Sequence, residues 1–234
     1  MTAMTDYLLM ITERPAAATR AAVTERAATR AAVRTHLAAT GALVDGGELH
    51  PSAESKRVRR TGEALAVEAG PFDATLESYY LVRTPDLAAA TALAKALPLH
   101  PDDVVDVRPV MKGAIKADKL DQPGKVFAFA VLGAAADEPT WIQQMDRIDL
   151  ATHDKLAIPG GCGGVRLEAP TTGRRVAFDA SKARVVDGPF LECKEVIGGL
   201  FFLRMPSLED ATRWASASPF VALGGLEIRE LWRS

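Results

Sequence analysis

The sequence predicts an α+β protein built of tandem ferredoxin-like modules that form an intrachain pseudo-dimeric α/β barrel. Three observations predict it: a pattern in the first half that recurs in the second, short apolar runs alternating with helical periodicities, and a globular composition. Of 234 residues, 48% are hydrophobic and 25% charged, enough for two modest cores or one larger one.

The repeat appears when the halves are laid over each other. Ala69 to Glu77, AGPFDATLE, matches Asp187 to Glu195, DGPFLECKE, so Gly70, Pro71, Phe72 and Glu77 meet Gly188, Pro189, Phe190 and Glu195. After a short insertion in the second copy, Arg83 to Arg108 run without a gap against Arg204 to Arg229. Pro85, Leu87, Ala90 and Thr91 fall on Pro206, Leu208, Ala211 and Thr212, and Val107-Arg108 on Ile228-Arg229.

Each copy opens on an apolar run, Tyr7 to Ile11 or Val126 to Leu132, as expected of a strand buried on both faces. A helix follows from about Pro15 to about Thr40, ended by Gly41, and its counterpart runs from about Pro139 to about Thr152. Valine-rich hairpins come next, with strands at Lys56 to Arg60, Leu65 to Glu68, Arg174 to Phe178 and Arg184 to Val186. Tyr79 to Val82 and Leu200 to Leu203 are strands, each followed by a proline and a helix with apolar residues at helical spacing. Val104 to Val110 and Leu226 to Trp232 close the copies. The order β-α-(hairpin)-β-α-β, twice over, places helices on one face of an antiparallel sheet, with the other copy covering the second face. The polar segment around Gly113, Pro123 and Gly124 reads as a linker, giving modules at 1–112 and 125–234 joined by 113–124.

Charge and composition exclude several functions. A net charge of −2 and a pI near 6.1 offer nothing to nucleic acid or an anionic membrane surface. No apolar run is long enough to span a bilayer, and no leader-like run opens the chain, so the expected location is the cytoplasm. Cys162 and Cys193 lack metal-ligand spacing and read as idle or buried thiols; no metal and no cofactor are expected. The run Pro159 to Gly164 is followed by the strand-like Val165-Arg166-Leu167 rather than a helix, so it reads as a hairpin or pocket lip, not a phosphate loop.

The segment Asp187-Gly188-Pro189-Phe190 with Glu192, Lys194 and Glu195, then Gly198-Gly199, resembles the DGPF family of YCII-related proteins. Leu191 and Cys193 depart from the family's usual motif, but its frame is kept. Ser218 to Arg229 resembles the family's C-terminal segment, and the likeness continues in the first copy through Gly46, Glu48, Leu49 and Pro51. The resemblance implies a dimeric ferredoxin-like barrel, here within one chain. For activity it implies a range from cofactor-free acid–base chemistry on small molecules to an accessory role beside alternative sigma factors.

The candidate chemistry follows from residue types. Asp-Gly-Pro is turn chemistry with Phe190 as an anchor, yet Asp187, Glu192, Lys194 and Glu195 also bring ionisable groups together. The first copy keeps only Glu77 of these. His36, at a helix end as in YCII proteins, or His153 is the candidate base, with Asp187 or Asp154 its orienting partner. His50 lines an opening or a solvated loop, and His100 is placed at the surface. Arg108 or Arg229 is the candidate anion holder, against the plainer reading of an exposed ion pair at a strand end. Arg26, Arg30 and Arg34 recur every helical turn as a solvated basic face. Together these residues predict a cofactor-independent enzyme catalysing elimination, isomerisation or cyclisation of a small polar molecule, as monomer or homodimer. The alternative is a non-catalytic module for ligand binding or regulation.

Overall fold

In a computed structural model, the described residues are 3–12, 20–72, 76–134, 139–143, 160–179, 182–188, 195–222 and 224–232. The first half supplies β1 (Thr5–Thr12), α1 (Arg20–Ala39), β2 (Leu43–Leu49), β3 (Lys56–Thr61), β4 (Ala64–Ala69), β5 (Leu76–Thr84), α2 (Leu87–Lys95) and β6 (Val104–Ile115). After α3 (Ala117–Leu120) come β7 (Val126–Ala134), β8 (Gly161–Leu167), β9 (Arg174–Phe178), β10 (Ala183–Asp187), β11 (Glu195–Arg204), α4 (Leu208–Ala217) and β12 (Gly224–Trp232).

Side chains alternate along these strands, and both sets are apolar because both faces are covered. Leu8 and Met10 of β1 meet Tyr79, Leu81, Ala128, Ala130, Leu200 and Phe202 in one core drawn from both halves. Tyr7, Leu9 and Ile11 turn the other way, onto Val33 and Leu37 of α1 and Ala90 and Ala94 of α2. In the second half Phe127, Phe129 and Val131 face Ala211 and Ala215 of α4 in the same manner. Side-chain caps start the shorter helices: Ala89 N–H donates to Asp86 at 2.8 Å and Asp210 N–H to Ser207 at 3.1 Å.

The strands hydrogen-bond in the order β1-β5-β2-β12-β7-β11-β8-β6, and β6 pairs back onto β1. This is a closed barrel of eight antiparallel strands, with the hairpins β3–β4 and β9–β10 attached to β12 and β6. The expected α+β class, two ferredoxin-like modules forming a pseudo-dimeric α/β barrel, is therefore corrected: the described chain is mostly β, and its halves share one ladder. The physical cause lies in β2 and β8, of which the apolar pattern reveals only Val165 to Leu167. They carry the bonds that join the halves, β2 to β12 and β8 to β6. Both are rich in glycine because neighbours press against them: a Cβ on Gly47 would stand 2.6 Å from a Leu231 methyl. The residues expected as a linker, 113–124, contain the last part of β6, paired with β8, and all of α3.

The repeat maps each strand onto the one four places round the ring. Neighbours are antiparallel, so a four-place rotation carries a strand onto one of the same direction, and the pseudo-twofold axis runs along the barrel. Equivalent residues consequently lie at the same height on opposite walls. No helix among the described residues is long and apolar enough to cross a membrane.

Candidate functional site

Val105 and Val107 of β6 pack outward beneath the helices, so Asp106, Arg108 and Val110 face inward. In the same way Leu226 and Ile228 of β12 face α4 and leave Glu227, Arg229 and Leu231 inside. Both arginines stand where a closing strand changes partner. Along β6, Val104 to Val107 pair with β9 and Val110 to Ile115 with β8. Along β12, Leu226 to Ile228 pair with β3, and Leu231 and Trp232 with β2. At each junction the partner chain turns away, and carbonyls there accept from the guanidinium.

On one wall this arrangement is complete. Arg229 Nε donates to the His50 carbonyl at 2.8 Å, and its Nη atoms reach the His50 and Leu76 carbonyls. Nη1 and Nη2 also hold Glu77 in a two-point fork, 3.0 Å from Oε1 and 2.8 Å from Oε2. Arg30 of α1 reaches the same carboxylate at 3.4 Å. Beside it Arg57 pairs with Glu227 at 2.7 Å and lies over the Phe72 ring, 4.1 Å from its centroid.

On the opposite wall the partners of Arg108 among the described residues are carbonyls. Nη2 donates to the Glu168 carbonyl and Nη1 lies 3.5 Å from that of Ile197, while Nε is buried with no partner. The residue is 2% exposed. The neighbouring Asp106 carboxylate is taken by Arg175, at 2.6 and 2.7 Å. Trp141, fully buried and fixed by its Nε1–H bond to the Leu167 carbonyl at 3.2 Å, faces the guanidinium 5.6 Å away. Among the described residues no carboxylate hydrogen-bonds Arg108. Burial pulls its pKa down to about 10, although Asp106 and Glu168 oppose the shift, so the group remains a cation at neutral pH. Among the described residues, the buried Nε–H of Arg108 is a donor without an acceptor.

The other residues singled out in the sequence are scattered. His36 lies on α1 between buried Val33 and Leu37, partly exposed, with no hydrogen bond to a described residue. His50 places its carbonyl on Arg229, but its ring pairs through Nδ1 with Glu54 at 3.0 Å and stacks on Trp232, centroids 4.1 Å apart. Asp187 is exposed and accepts from Arg174 Nε at 2.8 Å. His153, Asp154, Glu192 and Lys194 fall outside the described residues, as does Phe190. The structure thus joins His50 to Arg229 through a backbone carbonyl and does not join His36 to Asp187. The reading of both arginines as exposed is corrected, because inward parity buries them. His100, expected at the surface, is half-buried and shares a 2.7 Å bond with Thr29. The arginine stripe of α1 is solvated only in part: Arg26 is half-buried and grips buried Asp103 at 2.8 Å, whereas Arg34 is exposed and donates to the Gly46 carbonyl at 2.7 Å.

Sequence reasoning missed Asp106, Glu227, Arg57, Arg175 and Trp141. One signal was present, a charged residue at every second position of an apolar strand, occurring at Asp106 and Arg108 and again at Glu227 and Arg229. The Gly-Pro-Phe glycines have a packing role. Gly70 N–H donates to Ser55 O at 3.2 Å and Gly188 N–H to Gly173 O at 3.1 Å. A Cβ at either would collide with the carbonyl of Ser52 or Pro170. No metal-holding group of His, Cys, Asp or Glu occurs among the described residues.

A family model described as "YCII-related domain" matches residues 5–113 and again 118–234. No curated protein matches the chain. Among solved structures, one described as "Crystal structure of Putative Chlorite dismutase TA0507" is similar over 98% of this chain and 95% of its own, at 11% identity and a TM-score of 0.40.

Proposed function

Because the chain belongs to the YCII-related domain family, with two copies in tandem, we propose that it binds a small organic anion inside the barrel wall at Arg108. The observation that carries this reading is the difference between two equivalent arginines. Arg229 Nε donates to the His50 carbonyl, and Arg108 Nε is buried without a partner. Burial of Arg108 disfavours its charge, and a bound anion would offset part of that cost. The Trp141 face over Arg108 gives the ligand an apolar wall and gives the experimenter a reporter. Titration with sodium benzoate should change tryptophan emission saturably in the wild type and leave Arg108→Met unaffected. An identical response in both proteins removes the reading.

A second reading, acid–base turnover of a small molecule on the Arg229 wall, away from Arg108, is favoured by the His50–Glu54 pair at 3.0 Å, in which the carboxylate orients the imidazole. Elimination, isomerisation or cyclisation needs that kind of positioned base. In this reading His50→Gln abolishes product formation and leaves benzoate binding unchanged. The division into copies at 1–112 and 125–234 belongs to the same proposal.

A further inference from the structure

We propose that this chain associates head to tail through the outer edges of its two hairpins, β4 of one copy adding to β10 of a second copy.

Closure leaves the eight barrel strands without an edge. The hairpins supply two, since among the described residues β4 pairs with β3 alone and β10 with β9 alone. Both outer strands face solvent: Leu65 and Val67 of β4 and Val185 and Val186 of β10 are exposed. An outer strand presents a row of backbone N–H and C=O groups ready for another strand, and folded proteins commonly block such edges with lysine, proline or a bulge. Neither strand has any of the three. Ala64 to Ala69 and Ala183 to Asp187 contain no lysine or proline, and both run in unbroken register with their hairpin partners.

Charge and parity select β10 as the partner of β4. Val67 lies opposite buried Val58, and Val185 opposite buried Val176, so both project on the side of the sheet that the helices cover. An antiparallel ladder centred on Val67 against Val185 therefore keeps the helix-covered faces of both copies on one side. It also sets Glu68 directly across from Arg184 and Ala66 across from Val186. Glu68 and Arg184 are exposed, and among the described residues neither is held in an ion pair. At the ladder's end Leu65 meets Asp187, whose carboxylate already has Arg174 as its partner. Pairing β4 with a second β4 about Val67 sets Glu68 across from Ala66, and pairing β10 with a second β10 about Val185 sets Arg184 across from Val186. Neither of these brings opposite charges together. The hairpins stand on β12 and β6, four places apart round the barrel, so the pseudo-twofold turns their edges to face opposite ways. Each copy then offers one edge to each neighbour, and the assembly is a ring or an open chain.

The test is the mass of the intact chain by analytical ultracentrifugation over a range of concentrations, with V67K and V185K as variants at exposed positions. The wild type should exceed the 24.9 kDa of one chain, its mass rising with concentration. V67K and V185K, each with one edge blocked, should each be monomeric alone. Mixed, they should form a one-to-one dimer and nothing larger, because the intact β10 of the first meets the intact β4 of the second. E68R and R184E should each weaken association several-fold by opposing like charges, and E68R/R184E should restore it. Rescue in the double reversal separates a lost contact from a damaged fold. A wild type that keeps the mass of one chain at every concentration overturns the inference. Dimerisation of V67K or V185K alone also overturns it, because like edges are then paired, and so does a mixture of the two that stays monomeric.

Discussion

Glu77 Oε2 lies 2.8 Å from Arg229 Nη2 and Oε1 3.0 Å from Nη1, a fork closed across 152 residues of chain. It ties the start of β5 in the first half to β12 in the second, with Arg229 fully buried and Glu77 14% exposed. Removing one member of a buried pair costs about 3–5 kcal/mol because the other is left uncompensated. The partial exposure of Glu77 and the second arginine beside it place E77Q near the lower end. Urea unfolding of E77Q should show a lower midpoint at unchanged slope, and E77L/R229M should lose less than E77Q.

The Gly-Pro-Phe glycine of the second copy is held by packing. Its N–H donates to Gly173, and a Cβ would run into the Pro170 carbonyl, part of the backbone, which cannot swing aside as a side chain does. G188A should therefore destabilise the chain by about 1–3 kcal/mol, the usual cost of overpacking. G41A differs: nothing lies within 4 Å of a Cβ there, and its φ of +70° leaves only the milder cost of a left-handed residue. Chemical denaturation of the two variants should rank G188A as the more damaging.

Tyr80 is fully buried with its hydroxyl unpartnered, as is the hydroxyl of Ser78 on the same side of β5. Burial, then the Glu48 carboxylate, push the Tyr80 pKa up to about 12, with Arg34, the nearby Ser78 hydroxyl and Arg30 easing the shift. An orphaned buried hydroxyl costs about 1–3 kcal/mol, so Y80F should leave stability unchanged or raise it. A folded pKa above the unfolded value of 10.0 contributes stability that is present below pH 10 and lost as pH rises toward about 12. Alkaline unfolding curves of Y80F should lack that component, and absorbance titration at alkaline pH should lose its latest tyrosine.

Arg108 has the opposite sign. Its folded pKa of about 10 lies below the ordinary 12.5, so the folded state sheds the proton first and this group's contribution to stability rises with pH between those values. A carboxylate ligand needs the charged form. Acetate affinity should be constant from about pH 6 to 9, with the carboxylate ionised throughout, and should fall as pH passes about 10. Calorimetric titration at several pH values measures this, and a fall beginning near neutrality would point to a histidine instead.

Strands with unbroken apolar faces were legible. The runs opening each copy lie within Thr5–Thr12 and Val126–Ala134, and the hairpins and closing strands fall close to their expected places. What could not be read were Leu43–Leu49 and the start of Gly161–Leu167, of which only Val165 to Leu167 read as a strand, because glycines remove the β-branched signature. Those glycines are set by contacts with Tyr79, Tyr80, Leu231 and Phe201, distant in sequence, so no local pattern announces them. Missing the two strands hid the closure of the barrel and the junctions at which Arg108 and Arg229 stand. Arg108 and Arg229 were recognised from residue type, but their burial depends on strand parity.

Arg229 holds Glu77, and Arg108 is read as the residue that binds an anion. The most direct test is the arginine Nε–H spectrum of ¹⁵N-labelled protein titrated with sodium acetate, with R108K and R229K used to assign the two buried signals. The expected result is a saturable displacement of the Arg108 resonance while that of Arg229 stays in place. Saturable movement of neither, or of Arg229 alone, would contradict it.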